Sequence, residues 1–129
     1  MATTNTLTGS SQADILNAPG SSVTLVEGLQ GADTITLSKI NDQANAGKGN
    51  DSIAHAPSSG ASNVVVNGGD GNDTLYIRSA SSFGGTASMG AGADSIAIGS
   101  NSNFLISNAF IRGGTGNDTL VIGNTLSAS

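Results

Sequence analysis

Gly68 to Ile77 reads GGDGNDTLYI, and this stretch decides the fold of the chain. Glycines open it, an Asn and an Asp follow, and a short run with alternating apolar residues ends it. Variants recur as SSQADIL at 10–16, LQGADTITL at 29–37, GKGNDSIAH at 47–55, GAGADSIAI at 90–98 and GGTGNDTLVI at 113–122. An internal repeat with a period of about 20 residues predicts a solenoid, in which each repeat packs on its neighbours.

The Asp of each copy sets the phase of the repeat. These residues are Asp14, Asp33, Asp51, Asp73, Asp94 and Asp118, spaced 19, 18, 22, 21 and 24 positions apart. The second position after the Asp is always aliphatic: Leu16, Ile35, Ile53, Leu75, Ile96 and Leu120. The fourth position holds Ala18, Leu37, His55, Ile77, Ile98 and Ile122. Alternation with a period of two predicts a half-buried strand after each Asp.

A second strand is predicted before each glycine corner. Seven residues before each later Asp lie Val26, Ala44, Val66, Ala87 and Ile111. Two strands, a glycine corner and a variable loop make one flattened coil; the loops are 18–20, 56–60, 79–85 and 99–103. The prediction is one all-β domain over residues 1–129, a parallel β-roll or β-solenoid of about five to six short coils.

The composition fits thin coils and argues against several kinds of partner. The 129 residues include 19 Gly, no Cys and no Trp, and the net charge is −5. An acidic chain is a poor ligand for nucleic acid or an anionic membrane surface, and no apolar run is long enough to span a bilayer. We therefore predict no nucleic-acid partner and no membrane insertion. The corner carboxylates repeat too regularly for a glycosidase pair, and no aromatic residues that would line a sugar-binding cleft are visible. We therefore also predict no enzyme and no small-molecule substrate.

Each complete corner has the chemistry of a cation site. Its glycines can adopt positive φ, which aims backbone carbonyls inward, and the Asp adds a hard anionic oxygen. Six or more oxygen ligands are the preference of Ca²⁺, whereas a zinc cluster needs Cys or several His. The alternative interpretation is that the Asp residues only cap turns by accepting hydrogen bonds from backbone N–H groups. It applies most to Asp14, whose corner has no glycine beyond Gly9.

Two corners connect these residues to a family. GGDGNDTLY and GGTGNDTLV fit the nonapeptide G-G-x-G-x-D-x-U-x, so the chain resembles the RTX, or hemolysin-type, calcium-binding repeat family. Other copies depart by degrees, with Ala46 or Met89 at the first glycine and Leu29 at the second. In the family, successive nonapeptides line both edges of a parallel β-roll. This chain resembles a one-sided variant, with one motif per coil.

The resemblance implies a row of about four to five Ca²⁺ ions between consecutive corners. Carboxylate ligands would be Asp33, Asp51, Asp73, Asp94 and Asp118, with Asp14 the weakest candidate. Carbonyl ligands would come from Gly47, Gly49, Gly69, Gly71, Gly90, Gly92, Gly114 and Gly116. About one carboxylate per ion predicts weak affinity, ~10⁻⁴–10⁻³ M as in extracellular modules, and folding coupled to calcium.

The predicted function is structural. We expect an extracellular or cell-surface protein whose copies stack end to end into a filament or surface layer, because no polar cap is visible and the last coil, TLVIGNTLS, is apolar. No N-terminal signal peptide is visible, which agrees with the type I secretion that the resemblance implies. Two alternatives stay open: a calcium-binding repeat module of a larger secreted protein, and an ice or surface adhesin. The adhesin would display Thr34, Ser52, Thr74, Ser95 and Thr119 beside Asn50, Asn72 and Asn117.

One residue of the apolar ladders is polar. His55 takes the position that Leu37 and Ile77 hold in the neighbouring copies. We expect it at a local bulge or at the edge of a sheet. The alternative is a pH-sensitive packing role, and we do not expect catalysis because no nucleophile partner is visible.

Overall fold

The computed structural model describes residues 5–57, 61–78, 82–100 and 105–124. Its regular elements in these ranges are all strands. In chain order they are β1 (Asn5–Thr8), β2 (Ile15–Asn17), β3 (Thr24–Gln30), β4 (Thr34–Leu37), β5 (Gln43–Lys48), β6 (Ser52–His55), β7 (Ala61–Ser62), β8 (Val65–Asp70), β9 (Thr74–Ile77), β10 (Ser82–Phe83), β11 (Thr86–Ala91), β12 (Ser95–Ser100), β13 (Leu105–Ile106), β14 (Phe110–Thr115) and β15 (Thr119–Asn124). No helix in the described part of the chain is long and apolar enough to cross a membrane.

Two long parallel sheets form the walls of the molecule. Sheet A has the strand order β1-β3-β5-β8-β11-β14, and sheet B has the order β2-β4-β6-β9-β12-β15. Every strand in these sheets pairs in parallel with its equivalent in the neighbouring coil. The chain is therefore a parallel β-solenoid of about five turns, which confirms the predicted fold class.

The predicted apolar ladders form the core. The ladder of sheet B runs in register through Leu16, Ile35, Ile53, Leu75, Ile96 and Leu120. The facing ladder of sheet A runs through Val26, Ala44, Val66, Ala87 and Ile111. Their central members are almost completely buried. Because the residues are small and aliphatic, the two sheets can lie close together, and apolar burial between coils is the main driving force for stacking.

A third sheet was not anticipated from the sequence. Sheet C consists of the two-residue strands β7, β10 and β13, paired in parallel. These strands occur only in the three coils whose Asp residues are 22, 21 and 24 positions apart, and they are absent from the described part of the two shorter coils. The extra residues satisfy backbone groups by pairing between coils, and Phe83 of β10 is fully buried. The rest of the predicted loops lies partly outside the described residues, as does most of the final segment NTLSAS.

The expected location of His55 is wrong. Strand β6 lies inside sheet B, and His55 pairs in register with Leu37 and Ile77 without a bulge. The side chain is fully buried, its Nδ1 lies 3.2 Å from the Leu37 carbonyl oxygen, and its Nε2 has no hydrogen-bond partner. Since a carbonyl only accepts, Nδ1 carries the proton in this neutral ring. Burial lowers the pKa of His55, because it disfavours the imidazolium.

Candidate metal centre

The glycine corners all lie at the edge where sheet A passes into sheet B. The eight glycines predicted as carbonyl ligands have φ between +103° and +149°: Gly47, Gly49, Gly69, Gly71, Gly90, Gly92, Gly114 and Gly116. A Cβ at Gly69 would collide with the carbonyl oxygen of Gly47, and a Cβ at Gly71 with that of Gly49. The same relation repeats from corner to corner. Two columns of carbonyl oxygens therefore run along this edge, each oxygen facing the next corner.

Leu29 occupies one of these glycine positions. Its φ is +81°, a conformation that a branched side chain rarely adopts, and it pairs with Gly47 in sheet A. The Leu29 carbonyl oxygen faces Gly47 as the Gly47 oxygen faces Gly69. Stacking thus holds Leu29 in the corner conformation, at the cost of local backbone strain.

The Asp side chains form a continuous ladder inside the corners. Each Oδ1 accepts a hydrogen bond from the backbone N–H of the Asp in the preceding coil. The N···O distance is 2.8 Å in the first four steps and 3.0 Å between Asp94 and Asp118. One oxygen of every carboxylate from Asp33 onward is therefore used to bind one coil to the next.

The second oxygens of the inner carboxylates lack protein partners. Oδ2 is buried without a hydrogen bond in Asp33, Asp51, Asp73 and Asp94, and these side chains are only 1–2% exposed. In Asp33 and Asp73 this oxygen points toward the first glycine of its own corner, Gly28 or Gly68, where a Cβ would meet it. A buried anionic oxygen with no partner is costly, so each inner corner presents an acceptor that needs a cation or a proton.

The electrostatics of the stacked Asp carboxylates, here called the Asp column, also favour a nearby cation. Burial raises the pKa of Asp51 and raises that of Asp73 to about 6, although the hydrogen bond from the preceding Asp opposes the shift. Repulsion raises both pKa values further, from Asp33 on Asp51 and from Asp51, Asp94 and Asp70 on Asp73. The column therefore disfavours its own ionised form unless positive charge lies beside it.

Asp42 shows how this chain buries a carboxylate when no cation is required. It is fully buried at the start of the β5 coil, and its Oδ1 accepts from the N–H of Thr24 at 2.8 Å. Its Oδ2 accepts from the N–H groups of Ser38 and Lys39 at 2.9 and 2.7 Å. The repeat pattern does not point to Asp42, and the only signal in the sequence is that this Asp lies outside the repeat phase. Both oxygens of Asp42 thus have hydrogen-bond donors, whereas Oδ2 of the buried Asp residues in the glycine corners has none.

The two ends of the column differ from its middle. Oδ2 of Asp14 accepts from the N–H of Ser10 at 2.6 Å and from its hydroxyl at 2.9 Å. This is the arrangement that the turn-capping interpretation predicts, so the first corner does not need a cation as the inner ones do. Asp118 is exposed, and its Oδ1 accepts a hydrogen bond from the N–H of Asp94.

The donor set fits a hard cation bound mainly by the backbone. No group of three or more His, Cys, Asp or Glu side chains converges within the described ranges. A cation between two corners would therefore combine at most the two adjacent carboxylates with glycine carbonyls and water. All these donors are oxygen, which suits Ca²⁺ and its flexible geometry better than the strict octahedron of Mg²⁺. The ligand roles of the individual Asp and Gly residues stay predictions.

Fold and edge together define a parallel β-roll with one row of glycine-and-carboxylate corners. Four copies of the RTX calcium-binding nonapeptide repeat match the chain, at residues 25–53, 58–76 and 107–121. Over these residues the repeats match the RTX calcium-binding family, as the resemblance predicted. No curated protein and no solved structure shows significant similarity to the chain.

Proposed function

We propose that this chain is an extracellular structural protein whose β-roll binds a row of Ca²⁺ ions at its single glycine edge and requires them to fold. The observation that carries the proposal is the set of four buried Oδ2 atoms without partners, in Asp33, Asp51, Asp73 and Asp94. RTX repeats bind calcium, and a cation beside each oxygen would replace the missing hydrogen bond and offset repulsion along the column. Isothermal titration of the full chain with CaCl₂ tests it; about four sites are expected, and no binding at millimolar calcium would overturn it.

The proposed location follows from the weakness of such sites. Adjacent ions would share carboxylates, so each is only partly neutralised, and dissociation constants near ~10⁻⁴–10⁻³ M are expected. Calcium at these levels is found outside cells. RTX repeats occur in secreted proteins, which supports the same location. Export before calcium binding would let the chain leave the cell unfolded, by a type I route.

We further propose that copies stack end to end into a filament or surface layer. Outer strand β15 leaves Leu120, Val121 and Ile122 each 50–55% exposed, and its far edge has no neighbour in the described structure. The two ends of the roll carry complementary hydrogen-bonding groups, which favours a second copy of the chain as the partner of β15. Among the described residues the N–H of Asp118 lacks an acceptor and Oδ1 of Asp14 lacks a donor. These are the two groups that join every pair of coils within the chain.

Electron microscopy and sedimentation velocity with and without calcium test the stacking. Filaments are expected in calcium, and Asp14→Ala should shorten or abolish them because it removes the acceptor at one end. Circular dichroism of the variant verifies that its roll still forms. Monodisperse particles of 12.5 kDa at high protein concentration in calcium would contradict the proposal.

A second candidate, adhesion to ice or another ordered surface, is favoured by one observation. Thr34, Ser52, Thr74, Ser95 and Thr119 form an exposed row in register along the outer face of sheet B. Thermal hysteresis of calcium-loaded protein is its test. Absence of hysteresis dismisses the ice-binding role without affecting the calcium sites.

A further inference from the structure

A second ladder of side chains runs beside the Asp column in the opposite direction. It uses the residue just before each Asp. The N–H of Asn72 donates to Oδ1 of Asn50 at 2.8 Å, and the N–H of Ala93 donates to Oδ1 of Asn72 at 2.8 Å. Each Asn therefore bonds to the following corner, whereas each Asp accepts from the preceding one. Where both are present, two successive corners are linked by one bond in each direction.

This double link exists at only two of the intervals between corners. Ala holds the Asn position in three copies, as Ala13, Ala32 and Ala93. Ala32 and Ala93 therefore cannot accept from the N–H of the following Asn, Asn50 or Asn117. Those two N–H groups have no side-chain acceptor in the described part of the chain. The intervals Asp51–Asp73 and Asp73–Asp94 are linked in both directions. The intervals Asp14–Asp33, Asp33–Asp51 and Asp94–Asp118 are linked by the Asp bond alone.

We propose that Asn50 and Asn72 are positioning residues that preform the two central calcium sites, which then fill before the flanking ones. This inference rests on the proposed calcium function. A site whose spacing is fixed by the protein loses less conformational freedom when the ion binds, so its affinity is higher. The Asn oxygens are committed to backbone N–H groups in neighbouring corners, so they act through the corner spacing and are not ligands.

The central sites also have the greatest need of a cation. Asp73 belongs to both central intervals and is repelled by carboxylates on either side, Asp51 and Asp94. Its Oδ2 is buried without a partner, as are those of its two neighbours. The middle of the roll therefore combines corners whose spacing is fixed by hydrogen bonds with the strongest repulsion between carboxylates. Calcium-driven folding should begin there.

The chain offers a matched set of variants for the test. Asn72→Ala removes the acceptor for the Ala93 N–H. Asn117→Ala is the control, because Asn117 has the same place in its repeat but its side chain accepts no N–H from a following corner in the described residues. Ala93→Asn is the gain variant, because it would offer an acceptor to the Asn117 N–H.

Isothermal titration of the full-length variants with CaCl₂ gives the readout, and circular dichroism in saturating calcium verifies their folding. We expect two tighter and two weaker sites in the unchanged protein. Asn72→Ala should weaken one of the two tighter sites about fivefold, the equivalent of one net hydrogen bond, and Asn117→Ala should leave both classes unchanged. Ala93→Asn should move one site from the weaker to the tighter class, which a purely structural Asn would not do.

The outcomes distinguish the positioning role of the Asn residues from the calcium-binding function on which it rests. Calcium binding with a single class of sites, or equal effects of Asn72→Ala and Asn117→Ala, overturns the positioning role and leaves the calcium function intact. Absence of calcium binding in the unchanged protein overturns both.

Discussion

The backbone N–H of Asp51 donates to Oδ1 of Asp73 at 2.8 Å, while Oδ2 of both carboxylates is buried without a hydrogen-bond partner. One oxygen therefore sets the register of the coils, and the other is left for a cation. Two full charges one strand spacing apart repel by about 3 kcal/mol at an effective dielectric constant of about 20. The corner column is thus built for stacking and is unstable when it is fully ionised and free of cations.

Replacing Asp73 by Asn should separate these two roles. Asn keeps an oxygen that can accept from the Asp51 N–H but removes the charge, so Asp73→Asn should weaken calcium binding at two sites. Without calcium and above pH 6, the same change should stabilise the roll by about 2 kcal/mol, since the buried charge is gone. The folded fraction in EDTA, followed by circular dichroism, measures the change in stability, and calcium titration measures the change in binding.

Asp42→Asn is the matched control for that experiment. Both Asp42 oxygens accept backbone N–H groups, so an amide would turn a donor toward a donor. We expect destabilisation of about 1–3 kcal/mol with or without calcium and an unchanged number of calcium sites. A change in calcium stoichiometry in Asp42→Asn would argue against the separation of the two kinds of buried Asp.

The calcium-free roll should lose stability as the pH rises through about 6. The folded pKa of Asp73 is raised to about 6, above its ordinary value of 3.8. A carboxyl whose folded pKa is raised contributes stability that is fully present below the unfolded pKa and is lost as the pH passes the folded pKa. The β-content in EDTA at a series of pH values between 4 and 8, followed by circular dichroism, measures the loss, and Asp73→Asn should flatten its dependence on pH. Calcium binding near pH 6 should also release protons.

His55 predicts the opposite dependence. Its folded pKa is lowered by burial, so the stability that it contributes is present above about 6.5 and is lost as the pH falls. His55→Leu places an aliphatic residue between Leu37 and Ile77 and removes the unpartnered Nε2. The variant should be about 1–2 kcal/mol more stable at pH 7 and should lose less stability than the unchanged protein between pH 7 and 5. An identical acid response in both proteins would show that the imidazole does not titrate with unfolding.

Replacing Leu29 by glycine should relieve backbone strain in its corner and raise the stability of the roll. Leu29→Gly relieves the backbone at φ +81° and should stabilise the calcium-loaded roll by about 1 kcal/mol. Gly69→Ala should have a much larger and unfavourable effect, because its Cβ would collide with the Gly47 carbonyl. Gly20→Ala serves as the control, since nothing lies within 4 Å of a Cβ there. Thermal melting in calcium ranks the three variants.

The sequence predicted what the repeat phase controls. The Asp column, the positive-φ glycines and both apolar ladders follow from one motif read in register, because stacked coils place equal positions side by side. Sheet C was missed because its strands have only two residues, although the longer Asp spacings mark the coils that contain it.

Other features could not be predicted because they depend on single atoms. Spacing does not say that Oδ1 of Asp73 accepts while its Oδ2 stays free, or that the Asn and Asp ladders run in opposite directions. The burial of His55 was missed because a polar residue in an aliphatic ladder was expected at a bulge or at the edge of a sheet. The neutral ring instead donates to the Leu37 carbonyl and packs in the aliphatic ladder.

Far-ultraviolet circular dichroism of the full chain, followed through a calcium titration that starts in excess EDTA, tests the central claim most directly. The buried carboxylate oxygens without partners predict a largely unfolded chain in EDTA at pH 7.5 and a cooperative gain of β-structure as calcium reaches the millimolar range. Equal β-content in EDTA and in millimolar calcium would contradict the claim that cations at the glycine edge hold this roll together.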